Sequence, residues 1–175
     1  AIRTVGVLGC GLMGAGIAQV CAAAGYKTIV REVEQGLLDK GLGRVRKFLE
    51  DGVTKGKVTP EASETTLANL SGTTAVDALK DCDLIIEAII ENLEQKRQTY
   101  AALEQVVGAH TIFLSNTSSL CITELAATTQ RPDRFGGLHF FNPVPLLKLV
   151  EVIRALTPSD ETYQTVFTVA GSPGK

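Results

Sequence analysis

No apolar run in this 175-residue chain approaches the roughly 18 residues that a membrane-spanning helix requires. A membrane segment is therefore not expected. There is no Lys/Arg run and no basic tail, and 17 Lys and Arg stand against 19 Asp and Glu for a net charge of −2. That balance argues against nucleic acid and anionic membranes as partners. Histidine is scarce, with two residues, and the four cysteines (Cys10, Cys21, Cys82, Cys121) form no C-x-x-C pair. Metal-ligand spacing is thus missing, and scattered thiols of this kind read as reduced and structural, in a reducing compartment. Internal repeats and low-complexity tracts are also absent. No targeting segment is expected ahead of the first strand, which starts by residue 4. The expected compartment is the cytoplasm, or the mitochondrial matrix if a transit peptide has been removed. What is present is the composition of a globular domain, 45% apolar and 21% charged, with length for a single substantial core.

The chain is organised around its opening. Val5 to Leu8 is a short apolar run that leads into Gly9-x-Gly11-x-x-Gly14, and an Ala-rich segment follows. The motif alone is weak in a chain with 17 glycines, and a glycine-rich turn that binds nothing is the plain alternative. Its setting, between a strand and a helix, is what dinucleotide binding needs. Gly9 permits the tight turn, Gly11 lets a pyrophosphate approach the backbone, and Gly14 lets the helix pack closely on the strand. Backbone N–H groups leading into the helix, with Leu12 and Met13 among the residues expected at the cofactor, attract the diphosphate together with the positive end of the helix dipole. Lys27 to Val30 reads as a second buried strand, and Glu32, which follows it, lies 18 residues after Gly14. A carboxylate there accepts hydrogen bonds from an adenosine ribose and repels a 2′-phosphate, which favours NAD over NADP. Arg31 leaves the other choice open, because an arginine at this edge can receive that phosphate. Cys10, inside the glycine loop, reads as a small filler rather than a nucleophile.

Further along, strands and helices alternate. Helices are expected at 14–24, 35–52, 60–68 and 93–107, and further strands at 70–74, 83–88 and 111–114. Leu38, Leu42, Val45 and Leu49 form one helical stripe, with Gly36, Gly41 and Gly43 weakening its first half. Pro60 suits a first helical turn. The run Asp83 to Ala88 is continuously apolar between its acids, as a parallel strand covered on both faces should be. The expected fold is α/β, a Rossmann-type, doubly wound and mostly parallel sheet. Three polar loops (9–14, 87–92 and 116–119) then fall at the C-terminal ends of strands, where such sheets bind ligands. Beyond a short helix near 122–127, two strands (135–141 and 147–153) joined by Asn142-Pro143-Val144-Pro145 and a last helix at 158–170 are expected. A linker starts near 171.

Glu151 lies between Leu149-Val150 and Val152-Ile153. A carboxylate in a buried strand is costly unless paired. His139, twelve residues upstream on the preceding strand, is the matching partner. A Glu that holds one imidazole nitrogen leaves the other free as a base and stabilises the imidazolium. The residues alone leave two readings open: that catalytic pair, or a buried histidine satisfied by backbone beside a strand-edge glutamate.

The segments Gly-Leu-His-Phe-Phe-Asn-Pro-Val-Pro (137–145), Lys-Leu-Val-Glu-Val (148–152), Ser-Asn-Thr-Ser-Ser-Leu (115–120) and Glu-Ala-x-x-Glu-Asn (87–92) resemble those of the 3-hydroxyacyl-CoA dehydrogenases, which include the 3-hydroxybutyryl-CoA dehydrogenases. The resemblance spans residues 3–175. It implies NAD-dependent, reversible oxidation of an L-3-hydroxyacyl-CoA to the 3-ketoacyl-CoA. His139 is then the general base, Glu151 its orienting partner, and Ser118 and Asn142 the residues that hold the reacting oxygen and position the substrate. Glu91, Lys96 and Asn116 are implied near the cofactor, although Ser118 also suits a helix cap and Glu91 and Lys96 an exposed helical face. Glu32 stands where the family often has Asp. The family continues after the Gly-Lys reached here into an all-helical domain that forms a homodimer and closes the acyl-CoA cleft. Residues 1–175 are therefore expected to be the NAD-binding domain alone, as an excised domain, a proteolytic fragment or a short natural version. The rival expectation is an isolated NAD-binding module, or a structural relative, with little turnover.

Overall fold

A computed structural model describes residues 2–89, 93–108, 110–115 and 135–137, with backbone alone at 12, 13, 93 and 135–137. Strands β1 (Thr4–Leu8), β2 (Lys27–Arg31), β3 (Leu70–Thr73), β4 (Leu84–Glu87), β5 (Ile112–Ser115) and β6 (Phe135–Gly137) form one sheet in the order β3-β2-β1-β4-β5-β6. Every pairing is parallel. This is the doubly wound order whose switch point lies between β1 and β4. Helices α1 (Leu12–Ala23), α2 (Gln35–Thr54), α3 (Pro60–Asn69) and α4 (Leu93–Glu104) connect the strands, with a 3-10 turn at Val76–Leu79 that the sequence did not signal.

The continuous apolar runs are explained by burial on both faces. Val5, Val7, Leu84, Ile86 and Leu114 face the core beneath α1 and α2, whereas Leu8, Ile85 and Phe113 face the opposite core with Tyr100 and Leu103 of α4. Side chains alternate across a strand, so each run feeds both cores at once. Pro60 opens α3 as expected, and Thr59 Oγ1 accepts the Ala62 N–H at 3.1 Å as its cap.

The α2 stripe differs at one position. Its buried residues are Leu38, Gly41, Val45 and Leu49, with Leu42 only partly buried. A Cβ on Gly41 would collide with the carbonyl and Sγ of Cys10. Gly41 therefore does more than weaken the helix: it admits α2 against the glycine loop. The thiols of Cys10, Cys21 and Cys82 are buried, and burial pushes them up to about 11, about 12 and about 12. Thiols so shifted are neutral at physiological pH and poor nucleophiles. Among the described residues no helix is long and apolar enough to cross a membrane, and no group of three His, Cys, Asp or Glu is placed to hold a metal ion.

Candidate functional site

Parallel register brings the strand ends into one row. Leu8 pairs with Arg31 on one side and Glu87 on the other, Glu87 with Ser115, and Ser115 with Gly137. A cleft of about 720 Å³ opens above this row, lined by residues that include Gly9, Gly11, Glu32, Lys40, Arg44 and Ile89.

The glycines divide the work on its β1 side. Gly9 has φ +95°, a region few side chains tolerate, and its N–H donates to the Arg31 carbonyl at 2.9 Å. A Cβ there would also lie 2.7 Å from the Ala88 carbonyl oxygen. Nothing lies within 4 Å of a Cβ built on Gly11, so this position faces open space. A Cβ on Gly14 would strike the Gly9 carbonyl. The close approach at Gly14 is thus between helix and turn, not between helix and strand as the motif suggested. Helix α1 starts at Leu12, two residues earlier than expected from Gly14. Gly11 is its N-cap; no side chain caps it, and no acidic residue lies in its first turn. The backbone donors at Leu12 and Met13 therefore meet no anion from their own first turn, and a helix start of this kind attracts an external one. Open space over Gly11 and an uncapped helix start fit a dinucleotide diphosphate.

Glu32 follows β2 at the rim. Its Oε2 accepts the Cys10 N–H at 2.9 Å and its Oε1 accepts the Val33 N–H at 2.8 Å. One carboxylate thereby fixes the glycine loop and lines the cleft, with lone pairs left for a ribose hydroxyl. The Arg31 Nε donates to the Thr74 carbonyl at 3.3 Å, which ties that guanidinium towards the end of β3.

On the other side, the sequence reading needs correction. Glu87 was expected both in the strand at 83–88 and at the start of the polar loop at 87–92; the strand placement holds, and Glu87 is the last residue of β4 and fully buried. Its Oε1 accepts the Ser115 hydroxyl at 2.6 Å and the Tyr100 hydroxyl at 3.4 Å, and lies 3.3 Å from the Lys96 ammonium. Its Oε2 accepts the Ile89 N–H at 2.9 Å. Burial holds the Glu87 carboxyl above the usual carboxylate range, opposed by the Ser115 hydroxyl, the Lys96 charge and the Ile89 amide. Lys96 is fully buried rather than on an exposed helical face. The structure places its ammonium in this cluster, and the cleft is lined there by Ala88 and Ile89, which follow Glu87 in the chain. Glu87, Tyr100, Ser115 and Gly41 are the site residues that the sequence reading assigned no role. For Glu87 a signal existed: a carboxylate that ends the run Leu84-Ile85-Ile86 calls for a partner by the same reasoning applied to Glu151.

The structure thus brings Gly9, Gly11, Gly14, Glu32 and the start of α1 around one cleft, with Lys96 in the buried Glu87 cluster. His139, Glu151, Ser118, Asn142, Glu91 and Asn116 lie outside the described residues, as do the elements expected at 122–127, 138–153 and 158–170.

A parallel 3-2-1-4-5-6 sheet with a glycine turn, an uncapped helix start and an acid beyond β2 defines a dinucleotide-binding domain of Rossmann type. Residues 4–175 match the family described as the NAD-binding domain of 3-hydroxyacyl-CoA dehydrogenase, and the chain belongs to that family. It is 46% identical over 170 residues to a probable 3-hydroxybutyryl-CoA dehydrogenase of Deinococcus radiodurans, covering 97% of this chain and 61% of that protein. It is 43% identical over 180 residues to the mitochondrial hydroxyacyl-coenzyme A dehydrogenase of Rattus norvegicus, covering 99% and 57%. Among solved structures, the (S)-3-hydroxybutyryl-CoA dehydrogenase of Ralstonia eutropha is similar with a TM-score of 0.81 and 38% identity, over 97% of this chain and 60% of that one. The chain spans less than two thirds of the length of these relatives.

Proposed function

We propose that this chain is the cofactor-binding part of an NAD-dependent L-3-hydroxyacyl-CoA dehydrogenase, which interconverts a 3-hydroxyacyl-CoA and the 3-ketoacyl-CoA. The observation that carries the reading is the open, uncapped glycine cleft at the switch point of a chain that belongs to this family. NAD, when bound, supplies the hydride acceptor. The residues of the chain do the rest. The backbone at Gly11, Leu12 and Met13 receives the diphosphate, and Glu32 receives the adenosine ribose. His139 takes the proton of the 3-hydroxyl on one imidazole nitrogen, while Glu151 holds the other and offsets the charge that develops. Ser118 and Asn142 donate to the reacting oxygen and fix its orientation, Glu91 and Asn116 serve the cofactor side, and Lys96 supports that side indirectly through its buried pair with Glu87.

Sequence adjacency supports this grouping. Ser115 and Gly137 end β5 and β6 in the same row as Leu8 and Glu87, and residues 116–119 and 138–139 come next in the chain. Ser118, His139 and Asn142 are therefore close in sequence to the edge that bears the cleft. With reduced, buried thiols, the compartment proposed is the cytoplasm or the mitochondrial matrix.

His139→Gln in the full encoded chain tests the reaction. Turnover of a 3-hydroxyacyl-CoA is expected to fall about 10²–10⁴-fold, the usual worth of a general base, while NADH affinity is retained. Turnover near the wild-type rate would remove His139 from that role.

A further inference from the structure

We propose that Glu87 is a positioning residue for the reaction: its buried carboxylate ties the turn at Ala88 and Ile89 and helix α4 to the end of β5, and so sets the cofactor side of the cleft against the segment that carries Ser118. This deepens the proposed function and rests on it. The diphosphate belongs over the glycine turn at the end of β1 and the adenosine ribose beside Glu32, past β2. The other half of the dinucleotide then extends across the switch point towards the ends of β4 and β5. Glu87 ends β4 there, and Ser115, its partner in register, ends β5. Helix α4 serves two sides at helical spacing. Gln95, Thr99 and Ala102 line the cleft, whereas Lys96, Tyr100 and Leu103, each one residue further on, are buried.

An ionised carboxylate only accepts, and it does so through two oxygens. In Glu87, Oε1 takes the hydroxyls of Ser115 at 2.6 Å and Tyr100 at 3.4 Å and faces the Lys96 ammonium at 3.3 Å, while Oε2 takes the Ile89 N–H at 2.9 Å. The turn past β4, helix α4 and strand β5 are thereby held to one group in fixed directions. Stability alone does not call for this arrangement, because a buried ion pair is often no more stable than apolar residues of similar volume. What it supplies is geometry. Ser118 follows Ser115 by three residues, and Glu91 follows Ile89 by two. A displacement of about 1 Å between reacting groups is enough to cost about 10²-fold in rate, so a tie at the root of both segments bears on kcat more than on cofactor affinity.

Steady-state turnover of 3-hydroxybutyryl-CoA with NAD, an NADH titration and a urea melt on the full encoded chain test this in the wild type, Glu87→Gln, Ser115→Ala, Glu87→Leu and Glu87→Leu/Lys96→Met. Glu87→Gln keeps the shape but sets an NH₂ against the surrounding donors, and kcat should fall about 10- to 100-fold with NADH affinity within about threefold of wild type. Ser115→Ala keeps both charges and stands in where the amide variant does not fold; it should lower kcat at least about threefold with KM and NADH affinity held. The double variant should regain most of the stability lost in Glu87→Leu and none of the kcat, because Ser115 and Ile89 still lack this acceptor. Recovery of kcat along with stability in the double variant, or wild-type kcat in a folded Glu87→Gln or Ser115→Ala protein, would overturn the positioning role and leave the proposed reaction intact. An equal fall in kcat and NADH affinity would do the same. A wild type that binds NADH without oxidising 3-hydroxybutyryl-CoA would overturn both.

Discussion

Strand β4 has an acid at each end, and the two have opposite fates. Asp83, just before the strand, lies at the edge of the sheet away from the cleft. Its Oδ2 accepts the N–H groups of Arg3 and Thr4 at 2.9 and 3.1 Å, and His110 Nε2 lies 3.1 Å from its Oδ1. Burial tends to raise this carboxyl, but the two backbone donors and His110 outweigh it, and the net effect is to hold Asp83 below its usual value. Glu87, at the cleft end, is fully buried beside Lys96, and burial wins there, so its carboxyl is raised. One acid stitches strand starts together at a half-wet edge. The other sets the ends of β4, β5 and α4 at the cleft end of the sheet. Both carboxyls are perturbed, in opposite directions: burial dominates at the cleft end, and hydrogen bonds dominate at the less buried edge.

The largest effect should come from breaking the Glu87 end. Glu87→Leu leaves the buried Lys96 without this counter-charge, an event that usually costs about 3–5 kcal/mol. Glu87→Leu/Lys96→Met should recover most of that loss in a urea melt, because both charges are then gone. A double variant no more stable than the single would mean that the pair is not coupled.

Next in size is the glycine wall. Gly14→Ala forces a methyl group onto the Gly9 carbonyl and should cost about 1–3 kcal/mol, as overpacking does, together with loss of NADH binding. An unaffected melting temperature would show that the helix moves aside freely.

Asp83→Ala comes third. It removes the acceptor of two backbone N–H groups and should cost about 1–2 kcal/mol with NADH affinity unchanged, since the change lies at the far end of the strand. The pH dependence sharpens the contrast. A lowered carboxyl binds its proton less tightly in the folded state, so the stability from Asp83 is complete above its ordinary value, near 4, and is lost as pH falls through the folded value. A raised carboxyl binds its proton more tightly when folded, so the Glu87 contribution declines as pH rises from its ordinary value, also near 4, to the folded one. Melting curves from pH 2 to 8 should show the acid limb flattened in Asp83→Ala and the opposite slope removed in the Glu87→Leu/Lys96→Met variant. Identical profiles for both would contradict the assignment.

These two regions also differ in how far the sequence announces them. The β1 side is written in local terms: a strand, glycines at fixed spacing and an acid 18 residues on. Each glycine answers a nearby steric demand, so the pattern carries its meaning even before folding. The contact at Gly14 was misplaced, from turn to strand, the start of α1 was set two residues late, and Gly41 was read as a helix defect because its partner, Cys10, is 31 residues away. The β4 side depends on residues from β4, α4 and β5 meeting in one buried cluster. Lys96 and Tyr100 look like ordinary members of a polar helix until Glu87 is known to lie beneath them. Local patterns gave the alternation of strands and helices and the cleft, whereas the strand order and the buried ion pair are tertiary facts, the pair with a faint local mark, the acid that closes an apolar strand.

The cleft itself rests on Gly11. Its missing Cβ has no structural reason within the described residues, since nothing lies within 4 Å, and the residue caps α1. Serine is an equal or better helix cap, so Gly11→Ser should leave the melting temperature unchanged or slightly raised. The same side chain fills the space assigned to the diphosphate, so NADH affinity measured by fluorescence titration should fall at least tenfold. Unchanged NADH affinity in a stably folded Gly11→Ser protein would contradict the placement of the cofactor over the glycine turn.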